Sequence, residues 1–69
     1  MASNTLNAIS KHFENRDGKG YLYDENGHLL AEFDGEIQES SSLLFVVKNG
    51  MLYYIKYKED VGYYIEKYK

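Results

Sequence analysis

Glu32, Asp34 and Glu36 occupy every second position of the run Leu29-Leu30-Ala31-Glu32-Phe33-Asp34-Gly35-Glu36-Ile37. On an extended strand such residues project from one face, with successive carboxylates about 6.6–6.8 Å apart. Phosphates along one nucleic-acid strand lie a comparable distance apart, on the order of 6–7 Å. A carboxylate row of this kind suits a basic groove that otherwise receives a phosphate backbone. Asp24, Glu25 and Glu39 extend the row on either side. The same alternation also describes the solvated face of an ordinary edge strand, where the acids serve solubility alone.

The second chemically loaded group is aromatic. Six of the eight tyrosines (Tyr53, Tyr54, Tyr57, Tyr63, Tyr64 and Tyr68) fall in the C-terminal third, interleaved with Lys56, Lys58, Lys67 and Lys69. Tyrosine carries a large apolar body and one polar tip, which suits an interface with a wet rim. With lysines between them, the rings also resemble a platform on which single-stranded bases stack. A third reading is plain cross-strand packing, because tyrosine has high strand propensity.

Catalytic and metal-binding patterns are missing. His12 and His28, the only histidines, have no ligand-type spacing and no cysteine beside them. The stretch Asn15-Arg16-Asp17-Gly18-Lys19-Gly20 has the outline of a calcium loop, but Lys19 stands at a ligand position and Asn26 where the bidentate glutamate belongs. Ser40-Ser41-Ser42 lacks the glycines of a nucleophile elbow. No phosphate-binding glycine loop is present. These observations predict a protein that is not an enzyme and needs no cofactor or metal.

The elements that must position these residues follow from periodicity. Leu6, Ile9 and Phe13 recur at spacings of three and four, which predicts a helix over about residues 3–15, with Ser3 or Asn4 capping it and Asp17-Gly18-Lys19-Gly20 ending it. The remainder, about residues 20–68, reads as a sheet. Tyr21–Tyr23 and Leu29–Ile37 pair through Asp24-Glu25-Asn26-Gly27. Leu29, Ala31, Phe33 and Ile37 share one face, and Gly35 interrupts the alternation as a bulge would. Leu43–Lys48 and Met51–Lys58 pair through Asn49-Gly50, which sets Val47 opposite Leu52, Val46 opposite Tyr53 and Phe45 opposite Tyr54. A turn at Glu59-Asp60 leads to a last strand ending at Tyr68. The predicted fold class is α+β: a short N-terminal helix followed by a four- to five-stranded antiparallel β-meander, in one domain spanning residues 1–69.

Sixty-nine residues approach the lower limit for a chain that folds unaided, and without cysteine no disulfide staples it. Small unstapled scaffolds gain stability by self-association. One helix covers only one face of the meander, so Phe45, Val47, Leu52, Tyr54, Tyr63 and Ile65 are assigned to a homodimer contact. Net charge is −3, concentrated between Glu14 and Glu39, where eight acids face Arg16 and Lys19. That balance disfavours direct nucleic-acid binding. No apolar run approaches the roughly 20 residues that span a bilayer, and no secretory signal is evident, so a soluble, cytoplasmic protein without membrane contact is expected.

The segment Tyr21-Leu22-Tyr23-Asp24-Glu25-Asn26-Gly27-His28-Leu29 resembles one unit of the tyrosine–aspartate repeats of large toxin shells, a likeness of hairpin chemistry confined to a single copy. In size, lack of cysteine, richness in Tyr, Asn, Lys and Glu, and its acidic strand, the chain also resembles the small proteins that bacteriophages use to seize host machinery. Some of these are acidic DNA mimics, including inhibitors of the nucleoid protein HU. That resemblance implies a non-enzymatic inhibitor placing Glu32, Asp34, Glu36, Asp24, Glu25 and Glu39 on a basic, nucleic-acid-binding host protein. Two alternatives stand beside it: an interaction module that adds a strand to an exposed sheet edge, and a single-stranded nucleic-acid binder using Tyr54, Tyr64 and the C-terminal lysines.

Overall fold

The computed structural model describes residues 12–68 and contains seven strands: β1 (His12–Arg16), β2 (Lys19–Tyr23), β3 (Leu29–Phe33), β4 (Glu36–Ser40), β5 (Leu43–Lys48), β6 (Met51–Lys58) and β7 (Gly62–Lys67). They form two antiparallel sheets, β1-β2-β3 and β4-β5-β6-β7. Among the described residues the fold is therefore all-β, with no helix, and the expected α+β class with an N-terminal helix is overturned. Residues 12–15 of the expected helix belong to β1, and residues 3–11 lie outside the described residues. The local reason is the pair Asp17-Gly18. Both take positive φ, 53° and 78°, and set Arg16 opposite Lys19 in a two-residue hairpin. Two consecutive positive-φ residues make a turn whose twist matches the flanking strands, so β1 folds back onto β2 instead of winding into a helix.

The same device recurs. Asn49 and Gly50 have φ of 53° and 75°, and the register they impose (Val47–Leu52, Val46–Tyr53, Phe45–Tyr54) is the one predicted from the sequence. Ser41 and Ser42 turn β4 into β5 with φ of 52° and 67°, although serine, unlike glycine, carries a Cβ that disfavours this backbone. Left-handed backbone costs an ordinary L-residue roughly 1–2 kcal/mol. The double replacement Ser41→Asn, Ser42→Gly is therefore expected to stabilise the protein by about 1 kcal/mol. The measurement is a higher urea midpoint at unchanged slope.

Leu29–Ile37, expected to be one strand, is two. Asp34 and Gly35 carry the chain from β3 in the three-stranded sheet to β4 in the four-stranded one. Gly35 is a crossing point between layers, not a bulge, and bends of this kind let a chain switch sheets at a corner. The three-stranded sheet packs against the other through β1 and β2 on β4. Between the layers lie Leu22, Phe33, Ile37, Leu44, Val46 and Ile55, all buried, with Phe13, Leu30, Tyr53, Tyr63 and Ile65 packed around them. Full burial of such side chains stabilises by about 1.5–3 kcal/mol each. A register shift between Leu22 and Tyr23 turns Leu30 toward this core and leaves Leu29 55 % exposed. Among the described residues no helix is long and apolar enough to cross a membrane.

Candidate interaction surface

The sheet break dissolves the carboxylate row. Glu32 lies on β3, Asp34 in the crossing and Glu36 on β4, so the three do not share one strand. The Glu32 carboxylate accepts a 2.7 Å hydrogen bond from the Lys19 ammonium, whose pKa rises chiefly through that bond. Asp24 serves its hairpin turn: one carboxylate oxygen accepts the N–H groups of Asn26 and His28, both at 2.9 Å. Those backbone bonds, His28 first, hold its pKa below the ordinary value, and the Nδ1 of His28 lies 3.4 Å from its other oxygen. Glu25 is exposed in the same turn. Glu36 stands opposite Val47 and Glu39 opposite Leu44, so these two point from opposite faces of β4. Asp34 and Glu36 remain near one another beside Lys48, lining a shallow groove of about 470 Å³ where the β1–β2 and β5–β6 turns meet.

The outer surface of the three-stranded sheet is a closed charge network. Arg16 donates to Glu14 at 3.0 Å and to the Tyr23 hydroxyl at 3.3 Å, and its guanidinium lies 4.2 Å from the centre of the Tyr21 ring. The bond to Tyr23 raises the Arg16 pKa most. Among the described residues, no cluster of three or more His, Cys, Asp or Glu could hold a metal ion.

The outer face of the four-stranded sheet differs in kind. Pairing register places Phe45 beside Tyr54, Val47 beside Leu52, Tyr54 beside Glu66 and Lys56 beside Tyr64, all on the side away from the core. Phe45 is only 6 % exposed although it faces outward. Tyr54 and Tyr68 close over it, with ring centres 5.2 and 6.2 Å from Phe45 and 5.3 Å from one another. The sheet thus carries a second apolar layer, roofed by tyrosines. Lys56 bridges to Glu66 at 3.1 Å and approaches the Tyr54 ring at 5.8 Å, while Lys58 approaches the Tyr64 ring at 5.7 Å.

The six residues assigned to self-association do not share a face. Phe45, Val47, Leu52 and Tyr54 belong to this outer layer, whereas Tyr63 and Ile65 point inward, opposite Tyr57 and Ile55. The loop Glu59-Asp60-Val61 and the positive φ of Gly62 (91°) set that register, as in three-residue hairpins that end in a left-handed residue. Inward placement also raises the Tyr63 pKa, first by burial and then through Tyr57 and Asp24. Tyr64 and Tyr68 take their places on the outer face. Comparison with family models, curated proteins and solved structures returns no match to this chain.

Proposed function

We propose that this is a non-enzymatic protein-binding module whose working surface is the outer face of the four-stranded sheet. One observation carries the reading: a second apolar layer, built on Phe45 and roofed by Tyr54 and Tyr68, lies on the opposite side of the sheet from the core. Clustered tyrosines with a charged rim are the usual composition of an interface centre. Lys58 at the rim, which no salt bridge engages among the described residues, favours a partner that carries a carboxylate beside its apolar centre.

Imitation of a phosphate backbone ranks second. It asks for evenly spaced, free carboxylates, whereas Glu32 is paired with Lys19 and its neighbours are divided between two sheets. Asp34 and Glu36 are what supports it. Single-stranded nucleic-acid binding would use Tyr54, Tyr64, Lys56 and Lys58 on the same face as the proposed protein site.

The test is affinity capture from a nuclease-treated bacterial lysate, followed by titration of the recovered protein. Tyr54→Ser is expected to weaken binding roughly 30-fold, the equivalent of about 2 kcal/mol at a tyrosine hot spot. The triple charge reversal Glu32→Lys, Asp34→Lys, Glu36→Lys is expected to leave affinity nearly unchanged. The opposite pattern, with binding that collapses in salt, would replace this reading by mimicry on a basic partner. Tight binding of short oligonucleotides by the free protein would replace it by the nucleic-acid reading.

A further inference from the structure

We propose that β7 pairs antiparallel with β7 of a second copy about a two-fold axis at Ile65, joining two four-stranded sheets into one of eight. The inference does not depend on what docks on the outer face. It starts from the two edges of the sheet. The β4 edge is blocked at its centre: the Asn15 side chain accepts the Ile37 N–H at 2.8 Å and donates to the Ile37 carbonyl at 3.0 Å. Among the described residues no strand pairs with the outer edge of β7.

Which β7 groups face outward follows from the ladder. The Tyr68 N–H donates to the Leu52 carbonyl at 2.8 Å, one step beyond the Tyr53–Lys67 pair. Antiparallel ladders alternate between pairs that exchange hydrogen bonds and pairs that do not. Glu66, Tyr64 and Gly62 are therefore tied to β6, and Tyr63, Ile65 and Lys67 turn their N–H and C=O groups to the open edge. Two of the usual guards against pairing are absent from this edge: the chain has no proline, and β6–β7 pairing is regular throughout. The charges it does carry are Glu66 and Lys67, and the Ile65 register gives each an uncharged partner.

Side chains select the register. With Ile65 opposite Ile65 of the second copy, Lys67 falls opposite the Tyr63 ring and Glu66 opposite the Tyr64 hydroxyl, on the two faces respectively. A two-fold at Glu66 or at Lys67 would set like charges face to face, which is destabilising in cross-strand pairs. The Ile65 register also uses the whole strand. It accounts for a difference in burial as well: Ile55 is fully buried, while its cross-strand neighbour Ile65, next to the open edge, is only half-buried. Closed two-fold pairing consumes both edges and stops at two copies.

The test is sedimentation of the full chain together with residue-resolved amide exchange on the same samples. A mass twice 8.1 kDa is expected at high micromolar concentration, with Tyr63, Ile65 and Lys67 amides protected there and exposed after dilution to monomer. Tyr64 and Glu66 amides should stay protected in both states, which reports an intact β6–β7 ladder. Lys67→Pro removes one outward N–H and the lysine opposite Tyr63 without touching the core, and it is expected to weaken association about tenfold or more. A monomer at all concentrations overturns the proposal. So does a dimer whose Tyr63, Ile65 and Lys67 amides exchange freely, and so does a monomer in which they are protected, which would put residues 1–11 on this edge.

Discussion

Gly35→Ala is expected to remove roughly 3 kcal/mol of stability, the upper range for forcing an extra methyl into a close-packed site. For a chain of this length total stability is roughly 3–10 kcal/mol, so much of the population should lose its native fold. The reason is space, not backbone conformation, since Gly35 is not among the glycines at positive φ. A Cβ at this position would collide with the Val47 carbonyl oxygen and come within 2.9 Å of Val46 Cγ1. The carbonyl belongs to the β5 backbone and cannot rotate aside as a flexible side chain would. Gly20 stands in a similar place, where a Cβ would meet Ile37 Cγ1 at 2.5 Å and the Gly35 carbonyl at 2.7 Å. These two glycines let β2 and the crossing segment approach β4 and β5 closely enough to close the core. Gly18→Ala is the control: nothing lies within 4 Å of its Cβ, but its φ is 78°, so only conformational strain of about 1–2 kcal/mol applies. Urea unfolding of the two variants should rank Gly35→Ala well below Gly18→Ala. The reverse ranking would mean that the crossing relaxes around the methyl.

What the sequence revealed depended on whether a local rule had a competitor. Asn49-Gly50 had none: both residues tolerate positive φ, and the flanking runs are too apolar to slip, so the β5–β6 register was readable to the residue. Asp17-Gly18 obeys the same rule, yet it followed a Leu6–Ile9–Phe13 stripe and read as the end of a helix. The strand before it offers little contrary signal. In His12–Arg16 only Phe13 and Asn15 face inward, and one of those is polar. Gly35 marks an interruption of the alternation, but periodicity cannot tell a bulge from a change of sheet, because Phe33 and Ile37 remain core residues either way.

The candidate surface was legible to the same degree. Phe45, Val47, Leu52 and Tyr54 were placed on one face because Asn49-Gly50 fixes them there. The inward facing of Tyr63 and Ile65 is not legible in this way, because Glu59-Asp60 is not a positive-φ pair and the residue that sets the register is Gly62. Once that glycine is taken as the left-handed first residue of β7, after a three-residue loop, parity puts Tyr64 and Tyr68 outward. The acidic row failed for a different reason: it assumed that one run of alternation is one strand.

Asn15→Ala is expected to cost about 3 kcal/mol, a second effect of the same order that acts at the opposite edge of the molecule from the proposed pairing. Its carboxamide serves as a substitute strand for Ile37, accepting from the N–H and donating to the C=O. Truncation leaves both backbone groups part-buried without partners, at roughly 1–3 kcal/mol each. It also uncovers an edge beside the core, so the variant should associate at concentrations where the parent does not exceed a dimer. Asn15→Asp separates the two bonds. Its carboxylate still accepts the Ile37 N–H but faces the Ile37 carbonyl with no proton to donate, which favours the protonated form and raises its pKa in the folded state above the ordinary value of about 3.9. Protonation restores the donor. The stabilisation from this group is therefore complete below the unfolded pKa and lost as pH rises through the folded one. Relative to the parent, the Asp variant should gain stability on acidification from neutral pH to about pH 3.5, as read from urea midpoints at each pH, while the Ala variant shows no such recovery. An Asp variant that matches the parent at every pH would mean that the donor bond to the Ile37 carbonyl contributes nothing, and that the edge is held by the Ile37 N–H alone; one that tracks the Ala variant at every pH would mean that neither bond contributes.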